Sequence, residues 1–188
     1  VKDYFICEYR GKLPVKYKGN IDMYFVTGLR PELSVDLQGM PNKRFFLKVQ
    51  LLRMRDLESR VFNDLLAEHP GTFHFHTRDH IRQIYNQTEL LCRAENIAEE
   101  DVLLTLSASL LIYIGLNDSY EHFENRSVVI AREILPEFAY NEKQIDTICN
   151  LILATKQPFK PQNKLESILI DAKIEYLGRP DFPRLIKL

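Results

Sequence analysis

The run Glu99-Glu-Asp-Val-Leu-Leu-Thr-Leu-Ser-Ala-Ser-Leu-Leu-Ile-Tyr-Ile-Gly115 decides how this chain is read. Glu99, Glu100 and Asp101 open it, where the positive end of a helix dipole favours carboxylates. Glycine closes it, as at many helix C-termini. Between these signals apolar residues fall on every side of a helix and not on one stripe. Only burial all round satisfies such a surface, so this helix belongs at the centre of a helical core. It is too short to cross a membrane, which takes about 20 apolar residues, and no other run in the chain comes closer.

Working outward, the spacing predicts a helix from Phe123 to Leu135 closed by Pro136, and one starting after Asn141 and reaching about Thr155. Asn141 with Gln144 three residues on is a capping-box pattern. Pro158 and Pro161 break the chain, a sixth helix follows from Asn163 to Leu177, and Gly178 with Pro180 stops it. Upstream, a helix is expected from Arg78 to Asn96. Before it, a long one runs from Lys43 to Glu68, where Phe46, Val49, Leu52, Leu57, Val61 and Leu65 recur at helical steps. The first 41 residues differ. Gly11, Gly19, Gly28, Gly39, Pro14, Pro31 and Pro41 punctuate short β-prone runs. The expectation is a mainly α chain: a helical bundle over residues 71–188, a connecting helix over 42–70, and a short β-hairpin within 1–41. The chain opens as if mid-strand and reads as a fragment. A lone hairpin is marginal in water, so this one is expected to pack on the helices or on a second chain.

Of 188 residues, 45% are apolar and 27% charged, with a formal net charge of −1. That is enough apolar material for a core, and it gives no electrostatic case for nucleic acid or an anionic membrane as main partner. Cys7, Cys92 and Cys149 are odd in number and widely spaced, which reads as reduced, mostly buried thiols of a cytoplasmic protein.

His74, His76 and His80 cluster within seven residues, and on a helix His76 and His80 share a face. Two imidazoles so placed, with Asp79 between them, are candidate metal ligands. The same spacing fits a loop histidine and two half-exposed helix histidines. No H-E-x-x-H pattern is present.

A wider order of motifs bears on this choice. His76-Thr-Arg-Asp-His80 is followed by Ala108-Ser-Leu-Leu-Ile-Tyr-Ile-Gly115, then Phe123-Glu-Asn-Arg-Ser127, then Ile148-Cys-Asn-Leu-Ile-Leu-Ala-Thr155, then Ile170-Asp-Ala-Lys-Ile-Glu-Tyr-Leu-Gly178. This order resembles the HD superfamily of metal-dependent phosphohydrolases, over about residues 73–181. Its members read roughly Y-H-N-x-x-H, A-A-L-x-H-D-x-G, H-E-x-x-S, L-I-x-A-T and D-A-D-x-x-x-L-G. The resemblance implies an HD-like bundle in which His and Asp from separate helices hold divalent cations that activate water toward a phosphate ester.

The chain departs from that pattern. The histidine–aspartate pair that names the family falls at Ile112 and Tyr113, and the next histidine position at Phe123. Glu124 and Ser127 keep the rest of that motif. His80 and Asp171 match ligand positions, and Lys173 stands where a second aspartate is usual. Tight sites need three or more protein ligands. No metal or other cofactor is therefore expected; if one binds, His80 and Asp171 are its ligands. His76, His80, Tyr113, Glu124 and Asp171 are read as the vestigial pocket, with His80 and Asp171 together at its bottom. A register shift that turns His122 inward would be a rescue; the alternative is a polar loop over residues 117–122. Tyr113 on an apolar helix reads as a core aromatic with a hydrogen-bonded hydroxyl.

Leu13-Pro-Val-Lys-Tyr-Lys-Gly-Asn-Ile-Asp-Met-Tyr-Phe-Val-Thr-Gly28 resembles the last hairpin of class III adenylate/guanylate cyclase domains, typically V-K-G-K-G-x-x-x-x-Y-x-V/L. There Lys18 falls on the lysine that reaches the nucleotide triphosphate. The alternative is a plain hairpin with Lys16 and Lys18 on a solvated face. The metal-binding aspartates and the Asn/Arg helix of the cyclase family are absent, so this chain alone is not expected to cyclise a nucleotide. Together the resemblances imply a non-catalytic HD-like module attached to an upstream cyclase domain. It would act in regulation, homodimerisation or sensing of a nucleotide or phosphate ligand. The alternative is an HD phosphohydrolase with an altered divalent-metal site.

Overall fold

The computed structural model describes residues 2–36, 39–65, 78–116 and 121–180. Contacts divide the chain into two units, Val1–Val49 and Gln50–Leu188.

The first unit is built on an antiparallel hairpin of β1 (Phe5–Val15) and β2 (Gly19–Leu29). Leu13 pairs with Ile21 and Lys12 with Asp22, while register shifts fall between Ile6 and Cys7 and between Tyr9 and Gly11. Gly11, at φ 109°, supplies the backbone that the second irregularity needs and that a residue with a Cβ rarely adopts. Tyr9 and Tyr24 meet across the strands with ring centroids 5.4 Å apart, and the Tyr9 hydroxyl donates to Asp22 at 3.1 Å. After a 3-10 turn at Pro31–Leu33 the chain enters α1 (Lys43–Ser59). Phe45 near its start packs edge-on against Tyr4 and Phe5, and the Tyr4 hydroxyl donates to the Lys48 carbonyl.

In the second unit the rest of α1 is followed by π-helical turns over Arg60–Leu65. Residues 66–68 of the expected first helix lie outside the described residues. Then come α2 (Arg78–Ala94), α3 (Glu99–Leu111), α4 (Phe123–Ile134), α5 (Glu142–Ala154) and α6 (Lys164–Ile174). Helix α3 is the core expected from its sequence: every residue from Leu103 to Leu111 is buried, and α2, α5 and α6 pack around it. The polar residues within that run are satisfied locally. Thr105 and Ser107 donate back to the Asp101 and Leu103 carbonyls, four residues earlier. Leu104, Leu111 and Ile112 are at most 5% exposed. Each such side chain contributes roughly 1.5–3 kcal/mol on leaving water.

Some boundaries differ from the sequence expectation, among them that of α6, which ends at Ile174 and not at Leu177. Helix α3 ends at Leu111, and Ile112–Gly115 form a turn. The Ser127 hydroxyl of α4 donates to the Ile112 carbonyl at 2.8 Å and accepts from the Gly115 N–H at 2.9 Å. That bridge gives the end of the helix partners in α4. Helix α4 ends at Ile134 with Leu135 as its C-cap, directly before Pro136, as the sequence predicts. Pro136 then lies in the first turn of a 3-10 turn over Leu135–Phe138, where a missing N–H costs nothing. The capping box of α5 forms as expected, Asn141 and Gln144 each accepting from the other's backbone N–H.

Candidate functional site

Five segments of the helical unit bring chemistry-bearing side chains to one place. Helix α2 carries His80, the turn after α3 carries Tyr113, and the first turn of α4 carries Phe123 and Glu124. The end of α5 presents the Thr155 carbonyl, and α6 with the 3-10 turn after it supplies Lys173 and Tyr176.

Lys173 stands at the middle. Its ammonium donates to the Thr155 carbonyl at 2.9 Å and lies 4.0 Å from a Glu124 carboxylate oxygen. It also lies 5.4 Å from the ring centroids of both Tyr113 and Phe123, which stack on each other 5.5 Å apart. The Lys173 and Glu124 side chains are 12% and 8% exposed, so this pair has given up most of its water. Burial pulls the Lys173 ammonium down to about 8, and the Glu124 carboxylate acts against that pull. His80 fills the adjoining space, its ring 5.8 Å from Tyr113 and 5.7 Å from Tyr176. Burial first, and the charge on Lys173 second, push its imidazole down to about 4, so it is neutral at pH 7.

The residues singled out from the sequence fare differently. His80, Tyr113 and Glu124 come together, each buried. Asp171 is exposed on α6, whereas the expectation set it at a pocket floor with His80. Two residues along a helix turn the direction by roughly 200°, so the face that turns Lys173 inward turns Asp171 out. Lys173 pairs with Glu124 of α4. His122 is exposed at the N-cap of α4, and the inward shift that would make it a ligand does not occur. His74 and His76 lie outside the described residues. Lys18 is exposed in the turn between β1 and β2, in the other unit.

Sequence reasoning missed Thr155, whose backbone carbonyl leaves no trace in the sequence, and Tyr176. The central place of Lys173 did leave a signal: it follows Leu169 and Ile170 by four and three residues, and both are buried.

As a divalent-metal site this set fits poorly. Among the described residues no group of three or more His, Cys, Asp or Glu is gathered where it could hold an ion. The Lys173 ammonium 4.0 Å from Glu124 repels a further cation there. Compared with known proteins, the chain matches no family model, no curated protein and no solved structure. Among the described residues no helix is long and apolar enough to cross a membrane.

Proposed function

We propose that residues 71–188 are a degenerate HD-superfamily domain without phosphohydrolase activity. In this reading it serves as a regulatory, dimerising or ligand-sensing module of a cytoplasmic cyclase, whose catalytic domain ends in the hairpin. The observation that carries the reading is the makeup of the buried cluster. Tyr113 and Phe123 are packed aromatics at two positions where the family has metal ligands, and Lys173 brings a positive charge to the same place. Ile112 is a fully buried core residue at a third such position. The motif order of the sequence and the class III cyclase resemblance of residues 13–28 supply the rest.

The test begins with metal analysis and phosphohydrolase assays on nucleotides and phosphate esters, with Mn²⁺, Mg²⁺ or Co²⁺ added. The expected result is no stoichiometric metal and no turnover above background. Losing even one outer-shell partner costs a metal site about 10–100-fold in affinity, and three direct ligands are replaced here. Turnover that depends on an added ion would instead select the phosphohydrolase with an altered site. Sedimentation equilibrium and thermal shift with nucleotides then separate dimerisation from sensing. A monomer at all concentrations whose midpoint no nucleotide or phosphate moves would remove the regulatory part of the reading.

A further inference from the structure

We infer that Lys173 is the resident cation of this cluster, a tethered ammonium filling a cation site built from the Thr155 carbonyl, the Glu124 carboxylate and the faces of Tyr113 and Phe123. The geometry is that of a cation cage. One carbonyl accepts a direct hydrogen bond at 2.9 Å, a buried carboxylate stands at 4.0 Å, and two stacked rings lie at 5.4 Å. Ring faces carry negative quadrupole density and attract an ammonium most strongly where water is excluded.

Among the described residues nothing else at the cluster does this work. His80 is neutral at pH 7, and no other cation is within reach of the Glu124 carboxylate among the ion pairs of the described residues. The ligand class is thus a monovalent, hydrogen-bonding organic cation. The inference rests on these side chains and not on any family resemblance, so its failure and the failure of the proposed function are separate events.

The experiment uses the whole chain. Lys173→Ala removes three methylenes and the ammonium, which n-propylammonium reproduces and n-propanol reproduces without charge. At saturating concentration n-propylammonium is expected to raise the thermal midpoint of Lys173→Ala by about 3 °C or more, with no such rise from n-propanol and none in the unaltered chain. Equal responses to amine and alcohol would overturn the inference.

A second pair of variants decides the matter should Lys173→Ala not fold. Lys173→Met keeps length and removes charge, leaving Glu124 buried without its counter-charge. Adding Glu124→Gln relieves that burial, so the double variant is expected to be the more stable of the two in urea. A double variant no more stable than Lys173→Met, or a Lys173→Met chain as stable as the unaltered one, would show that no cation is required.

Discussion

Acidification should weaken this fold through His80. The imidazole is 7% exposed, packed against the Tyr113 and Tyr176 rings, and shares its surroundings with the Lys173 ammonium. In the unfolded chain it titrates near 6.5; in the fold it is pushed down to about 4. Between those values the unfolded state binds the proton and the folded state does not, so stability falls with pH. The contribution is fully present above about pH 6.5 and is lost as pH falls through about 4. The gap corresponds to ~3 kcal/mol over the whole window, of which ~2 kcal/mol is already gone at pH 5. Urea unfolding followed by circular dichroism at pH 7.5 and pH 5.0 measures the loss. Other groups contribute to the pH dependence as well, so the informative quantity is the comparison with His80→Gln. That variant lacks the titrating group and should lose about 2 kcal/mol less between the two pH values. Parallel losses in both chains, or an NMR titration placing His80 near 6.5, would refute the argument.

Three further outcomes follow from packing and hydrogen bonding. Gly115→Ala would place a Cβ 2.3 Å from the Ser127 nitrogen and 2.5 Å from the Phe123 carbonyl oxygen, both backbone atoms. It should cost about 3 kcal/mol or more in urea unfolding, at or above the usual range for overpacking. Ser127→Ala would strand the Gly115 N–H and the Ile112 carbonyl in a buried setting. A loss of about 1–3 kcal/mol is expected, and Ser127→Thr, which keeps the hydroxyl, should lose less. Gln144→Ala would remove half of a capping box together with side-chain bonds to Gln50 and Glu100. It should lower the thermal midpoint by several degrees, about 2–4 °C per kcal/mol for a chain of this size, whereas a solvated cap would barely register.

How much of this was legible in the sequence depends on what kind of information each feature uses. The burial of α3 was legible, because an apolar circumference has only one favourable environment. The Asn141–Gln144 cap was legible too, because a capping box is a contact across three residues of one helix turn. Helix ends were read less well where the deciding partner is distant in sequence. The last turn of α3 is met by Ser127 of another helix, and nothing between Leu111 and Gly115 announces that. At the candidate site, motif order brought His80, Tyr113 and Glu124 to notice, and helical phase decides between Asp171 and Lys173. Motif matching favours Asp171, since it keeps a ligand-type residue at a ligand position. Phase favours Lys173, since Leu169 and Ile170 one turn earlier face the core and Asp171 is out of step with both. The structure follows phase. The general reason is energetic. Burying the flank of α6 involves several apolar side chains at once, and no single carboxylate offsets the cost of turning that whole face toward water. A charged residue carried inward by such a face must find partners there, and for Lys173 they are a carbonyl, a carboxylate and two rings drawn from three other segments. Those partners are what a single sequence conceals: each is ordinary where it stands, and only the fold puts them around one ammonium.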